Sequence, residues 1–337
     1  MHTTARPTAN DAATLGDLVT PGHPPTGERT GNRTGEATGA AGDAIRTGAH
    51  GAASLAGPAR RMADEALAAA GIRMLDAHDR TAAEQVESVL SDIWGRDDGM
   101  IDPALLVAMA HAGNLVALVS AGDAPIGAAV GFCGPPGAPF HSHIVGLLPE
   151  AVGAGRGRAV KLAQRAWCLE RGIDEMTWTF DPLVARNAYF NLRRLGATAL
   201  EYLPDFYGVM TDAINAGQHS DRVLIRWDLA QEPPSAEATR VELPLDAVTA
   251  AVADLDGEPT PYVAPAVTAV VTTVAVPEDI ERLRRADPDA ARRWRTETRA
   301  AFLDLLGSGW AITGFTRSSR YVLRRANPAA MEGSTAE

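Results

Sequence analysis

The stretch GLLPEAVGAGRGRAVKLAQRAWCLERGI, residues 146–173, decides how the chain is read. An apolar run over 142–148 ends at Pro149, passes glycines at 153, 155 and 157, and enters a helix whose buried stripe is Ala159, Leu162, Ala163, Ala166 and Trp167. Gly172 stops that helix. A strand-to-helix turn of this kind aims free backbone N–H groups at one point, and the positive end of the helix dipole adds to them. Small glycines let a phosphate approach the backbone closely. The turn is therefore either an anion cradle or a glycine-rich turn packed for its own sake, and spacing alone leaves both open. A dinucleotide fold would place the pattern after its first strand, with an acidic residue about 20 positions on. Here it follows the fourth expected strand, and the next strand, Met176–Phe180, carries Thr177 and Thr179.

Working outward, 71–77 reads as a first strand, and 81–94 as a helix with Ala83, Val86, Val89, Leu90 and Ile93 at helical spacing. A short helix over 104–112 precedes two apolar runs, 115–120 and 126–133, joined by a turn-forming AGDAP and so read as a hairpin. Beyond Phe180, Asp181-Pro182 fits an N-cap followed by a first-turn proline, opening a helix that buries Ala185, Ala188, Tyr189, Leu192 and Leu195 before Gly196. Strands at 197–203 and 223–229 close this region. The alternation predicts an α+β domain over 72–230. A second region, 234–325, opens rich in Pro, Glu and Asp. It then offers one or two strands within 262–276, a helix capped at Asp287-Pro288, and a terminal hairpin at 310–315 and 320–324.

With 337 residues, 46% of them hydrophobic, the chain can bury a sizeable core. No aromatic residue precedes Trp94, and residues 1–60 are mainly Gly, Thr, Ala and Pro, which predicts a disordered tail with a short helix starting only at Pro58. Residues 326–337 read as a second tail. A net charge of −11 argues against binding duplex nucleic acid or an anionic membrane. No run is long and apolar enough to span a bilayer and no signal-peptide core is seen, so a cytoplasmic protein is expected. Cys133 and Cys168 are too few for a metal cluster and read as buried thiols. Of the 31 basic residues only Lys161 is lysine, which reads as a coding bias toward Arg.

Several segments taken jointly resemble the GNAT superfamily of acyl-CoA-dependent N-acyltransferases, and within it a branch of predicted acyltransferases carrying a C-terminal extension. They are HSHIVGLLPE (141–150), GRGRAVKLAQRAW (155–167), GIDEMTWTFDPLVARNAYFNLRRLGA (172–197), YLPDFYG (202–208) and SDRVLIRW (220–227), with a weaker match in DPDAARRWRTETRAAF (287–302). The resemblance implies a mostly antiparallel twisted sheet flanked by helices. It further implies a CoA pyrophosphate on the loop of Gly153, Ala154, Gly155, Arg156, Gly157 and Arg158, and a pantetheine arm between strands 142–148 and 176–180. Backbone N–H groups near Gly146, Leu147 and Leu148 would polarise the thioester. Two departures stand out. Val152 occupies a position usually held by Gln or Arg, and Leu192 stands where many members carry a tyrosine that protonates the leaving thiolate.

Acyl transfer from a thioester needs a neutral nucleophile, a stabilised oxyanion and a proton for the thiolate. His141 and His143 alternate along the strand leading to the thioester, so both share a face and either could relay a proton, or be a structural histidine. Asp181 is a candidate acid or base or else a helix cap. Asn187, by resemblance, would bond the pantetheine or thiol end, and Tyr189 falls on the apolar stripe. Asp205, Tyr207 and Asp221 in the last long loop are candidate acceptor contacts. Arg156, Arg158 and Lys161 surround the glycine turn, either beside phosphates or on a solvated face. The expected function is transfer of an acyl group, from acetyl-CoA or another acyl-CoA, to a small-molecule amine by direct attack, without a metal. The alternatives are a non-catalytic acyl-CoA-binding protein and a nucleotide-phosphate enzyme. The C-terminal extension is expected to be a lid or a contact of a homodimer.

Overall fold

A computed structural model describes residues 40–96, 99–208, 219–235, 238 and 248–325, with side chains from Ser54 onward. After a long helix α1 (Ala40–Ala69) come β1 (Arg73–Asp76), α2 (Arg80–Trp94), α3 (Pro103–His111), and the hairpin β2 (Leu115–Ala121) and β3 (Ala124–Cys133). Then follow β4 (Phe140–Leu147), α4 (Arg156–Leu169), β5 (Glu175–Phe180), α5 (Ala185–Ala188), β6 (Thr198–Leu203) and β7 (Arg222–Asp228). Local chemistry sets the helix starts. Asp79 accepts from Ala82 N at 2.8 Å ahead of α2, and Asp102 accepts from Ala104 N at 2.8 Å with Pro103 in the first turn of α3.

These strands form one sheet in the order β1-β2-β3-β4-β5-β7-β6. Every neighbouring pair is antiparallel except β4 with β5. That mixed, mostly antiparallel sheet flanked by helices is the expected fold class. α2 and α3 cover one face, with Val86, Leu90 and Leu106 against Val116, Leu118 and Val130. α1 and α4 cover the other.

Two features of β4 position the site. It pairs with β5 only at Phe140↔Met176 and His141↔Thr177, beyond which the two strands part. It also holds one residue more than β3 between Phe132↔His141 and Val130↔Ile144. This bulge lets Phe140 and Ser142 face α4 while Ile144 packs toward α2 and α3.

The structure corrects three expectations. The helix expected from Pro58 belongs to α1, which begins at Ala40. Leu55, Ala56 and Ala59 pack on the core and Arg60 makes a two-point ion pair with Glu170 at 2.7 Å, so the tail assigned to 1–60 does not hold there. Residues 1–39 and 326–337 lie outside the described residues. The helix after Asp181 starts at Ala185 and widens into a π-helical turn over Tyr189–Arg194, which turns Asn191 inward onto Trp178 Nε1 at 3.3 Å. Of the two free cysteines, Cys168 is buried but Cys133 is exposed.

The C-terminal region builds a second sheet in the order β12-β13-β11-β8. Its strands are β8 (Ala250–Val252), β11 (Val271–Ala275), β12 (Trp310–Phe315) and β13 (Arg320–Arg325). A small ribbon, β9 (Asp254–Leu255) and β10 (Glu258–Pro259), and helices α6 (Ile280–Ala286) and α7 (Pro288–Gly307) complete it. One apolar cluster runs through both regions, with Phe302 of α7 packed at a tilt against Tyr202 of β6, 5.3 Å between ring centres.

Candidate functional site

The parted strands create the site. Where β4 leaves β5, its outward N–H groups lose their strand partner, and ladder alternation identifies them. Leu148 N donates to Ile126 O at 2.9 Å, and the register that follows pairs Gly146 with Ala128 and Ile144 with Val130. Donors alternate along an antiparallel strand, so Gly146 and Ile144 point toward β3 with Leu148, while the N–H groups of Val145 and Leu147 face the gap. The expected trio Gly146, Leu147 and Leu148 is thus corrected. Leu148 is committed to β3, Gly146 belongs to the same series, and Val145 takes their place. This was not legible without the register.

The gap leads to the glycine loop. Gly153, Ala154 and Gly155 all have positive φ, at 111°, 47° and 76°. Arg156 N and Ala159 N bond back to Gly153 O and Gly155 O at 3.0 Å, and α4 has no side-chain cap. A Cβ built on Gly153, Gly155 or Gly157 would meet nothing within 4 Å, so the loop's surface is open. First-turn donors of an uncapped helix in an open loop suit an anion.

The cations around the loop separate. Burial, and secondarily the charge of Arg194, lowers the pKa of Arg158, so Arg194 is close enough for its charge to be felt there. Arg156 is turned away, its guanidinium on the carbonyls of Ala151 and Ala70 at 3.2 and 3.4 Å. Lys161 points into the core and does not surround the turn. Residues 159–169 of α4 are buried all round, so the helix has no solvated basic face at that position.

On the α2–α3 face the aromatic rings of Phe132, His141 and His143 lie 5.2 to 6.1 Å apart. His141 Nδ1 sits 3.2 Å from Thr177 Oγ1, and Tyr207 Oη 3.3 Å from Thr179 Oγ1. Desolvation, then the neighbouring His143 and Lys161, hold the pKa of His141 below the ordinary value. His143 is exposed at the rim, yet close enough to its neighbours that desolvation lowers its pKa too. Both imidazoles are therefore neutral and able to accept a proton at pH 7.

Other candidates have different places. Asp181 is buried with its carboxylate on Arg295 at 2.8 and 2.9 Å, on Arg284 at 2.5 Å and on Leu183 N at 2.9 Å. Burial opposes its charge, but the two guanidiniums prevail and hold its pKa far below the carboxylate range. Asp221 accepts from Tyr202 Oη at 2.5 Å, from Arg299 at 2.5 and 2.9 Å, and from Asp205 N at 3.0 Å. Both carboxylates are taken up by protein groups, and Asp181 keeps its capping alternative by accepting from Leu183 N, while the geometry brings neither to the gap between β4 and β5. They tie the C-terminal region to the ends of β5 and β7. Asp205 shapes a turn, at φ 49° with its carboxylate 3.1 Å from His219 Nδ1. Tyr207 is exposed above Thr179, and Asn187 is exposed on α5. Among the described residues no three His, Cys, Asp or Glu side chains gather as a metal site, and no helix is long and apolar enough to cross a membrane.

No protein-family model matches the chain, and no curated protein matches it. Solved structures do resemble it over about half its length. The ribosomal-protein-S18-alanine N-acetyltransferase from Escherichia coli is 11% identical, covering 49% of this chain and 97% of that one, at a TM-score of 0.38. Naa50 of Arabidopsis thaliana, solved with a bisubstrate analogue CoA-Ac-MVNAL, is 14% identical over 46% of this chain and 97% of that one, at 0.36. An aminoglycoside 6'-N-acetyltransferase complexed with coenzyme A is 12% identical over 48% of this chain and 99% of that one, at 0.37. The strand order, the single parallel pair that parts, and the glycine loop opening α4 make the region from β1 to β7 a seven-stranded, mostly antiparallel α+β sheet flanked by helices.

Proposed function

We propose that the chain is an acyl-CoA-dependent N-acyltransferase that moves an acyl group from a CoA thioester to an amine of a small molecule by direct attack. The parting of β4 from β5 carries this reading, because it leaves backbone donors facing a slot that leads to an open, uncapped helix N-terminus. In this reading the pyrophosphate lies on Gly153–Arg158, with Arg158 and Arg194 beside it. The extended amide-bearing arm runs along β4, where Val145 and Leu147 donate to its carbonyls, and one of them holds the oxyanion as the amine attacks. The proton lost by the amine passes to His141 or His143, both neutral at pH 7. The neighbouring structures named for acetyltransfer and solved with CoA or a CoA conjugate agree with this assignment.

Calorimetry with CoA, acetyl-CoA and longer acyl-CoAs, with ATP and NAD as controls, tests the donor side. Micromolar CoA-selective binding is expected. Gly155→Glu should abolish it, by a carboxylate placed on the phosphate position and by strain at φ 76°. Arg158→Ala, which leaves the backbone unaltered, should weaken it about tenfold. CoA binding with no thioester loss over a broad amine panel would instead make the chain a non-catalytic acyl-CoA-binding protein. Binding of ATP or NAD in place of CoA would overturn the assignment.

A further inference from the structure

Lys161 is the chain's single lysine among 31 basic residues, and it is buried. Elsewhere the chain uses arginine even inside the core, where Arg284 and Arg295 meet the carboxylate of Asp181. Lys161 meets no carboxylate among the described residues. Its Nζ donates to Ser142 Oγ at 2.9 Å and lies 3.9 Å from the centre of the Trp178 ring. Ser142 in turn donates to Gln164 Oε1 at 3.1 Å, and Gln164 Nε2, fully buried, has no partner. Ser142 and Trp178 are the first residues beyond the last paired positions of β4 and β5, His141 and Thr177. The amine thus bridges the two strands where they begin to part. Burying a polar trio with spare donors is unfavourable unless something completes it.

We propose that Lys161 is the acid that protonates the departing thiolate of the CoA thioester, with Ser142 and Gln164 holding its amine at the apex of the gap. The proposal rests on the acyl-CoA reading above. The acceptor nitrogen bonds to the carbonyl carbon, the C–S bond breaks with its electron pair on sulfur, and sulfur takes a proton from the Lys161 ammonium. The proton shed by the acceptor amine leaves through His141 or water, and Lys161 regains its own from solvent once CoA departs. Arginine cannot serve here, because a guanidinium does not release its proton. Burial, opposed by Cys168, brings Lys161 down to about 7. The titratable groups facing it are Cys168 on its own helix and His141 on β4, while β5 presents the Trp178 indole. An ammonium near 7 gives its proton downhill to a thiolate, whose ordinary pKa is about 8.5.

A single lysine makes the test direct, since selective labelling of the full chain with 15N-lysine yields one side-chain signal. That signal would be titrated in the free chain, with CoA, and with desulfo-CoA, which lacks the thiol. The free amine should titrate near 7. With CoA the lysine signal should show a second, smaller step above about pH 8.5, absent with desulfo-CoA, as the neighbouring thiol ionises and its charge acts on the amine. Identical titrations with both ligands, or a free-chain midpoint at the ordinary lysine value, would overturn the proposal and leave the acyl-CoA reading standing. Failure of the folded chain to bind either ligand would overturn both. As a second measurement, Lys161→Met and Lys161→Arg should bind CoA within about threefold of wild type yet lose tenfold or more in acyl transfer to any amine the wild type accepts. Undiminished transfer would overturn the proposal.

Discussion

At the residue scale, the buried amine makes stability depend on pH in a direction that can be worked out. Unfolded lysine titrates at about 10.4. Folded Lys161, desolvated, titrates at about 7. Below that value both states are protonated and the full penalty of a buried charge applies. Between the two values the unfolded chain holds the extra proton, so Lys161 makes stability rise with pH. Cys168, whose thiol is pushed up by burial, acts in the opposite sense above about pH 8.5, so the difference between wild type and Lys161→Met isolates the lysine. Thermal unfolding should give Lys161→Met a higher Tm at pH 6.5 and a gain that shrinks toward pH 9.5. The solitary lysine was visible in the sequence. Its inward orientation was not, because residues 159–169 of α4 are buried all round and lack the polar face that periodicity analysis assumes.

Elements show the same division. The cap at Asp287, the hairpin turn and the glycine stop at 172 act within a few residues, and each was legible for that reason. The bulge in β4 and the π-helical turn at 189–194 depend on what packs across the sheet, so no local pattern announced them. The close approach of β3 to β4 is likewise tertiary. A Cβ on Gly127 would stand 2.3 Å from Gly146 O, a backbone atom that moves only with its strand. Gly127→Ala should therefore lower stability by about 1–3 kcal/mol, read as a fall in the denaturant midpoint. It should also weaken CoA binding by displacing the donors of Val145 and Leu147. An unchanged midpoint would show that β4 can yield at no expense.

At the scale of the whole molecule, the C-terminal region is joined to the sheet by buried charge as well as by apolar packing. Asp181 is the hinge of that contact, between Arg284 of α6 and Arg295 of α7. Asp181→Asn would leave two guanidiniums in the core with their charge unbalanced, and a loss of about 3–5 kcal/mol in chemical denaturation is expected. The sign with pH follows from the depressed folded pKa of Asp181. Its contribution is fully present above the ordinary carboxylate range and is lost as pH falls through that range toward the folded value. Wild type should therefore lose stability on acidification more steeply than Asp181→Asn. Parallel acid profiles would remove Asp181 from this role.

By itself the sequence determined the alternation of elements, the glycine loop at the start of α4 and the two histidines on one face of β4, because periodicity, caps and backbone freedom are properties of neighbours in the chain. Only the tertiary structure decided which donors of β4 face the gap, that Lys161 lies buried at its apex, and that Asp181 and Asp221 serve the fold. The partners of Asp181 and Asp221 on α7 lie 114 and 78 residues away, and a carboxylate's role is set by the charges that reach it across the core.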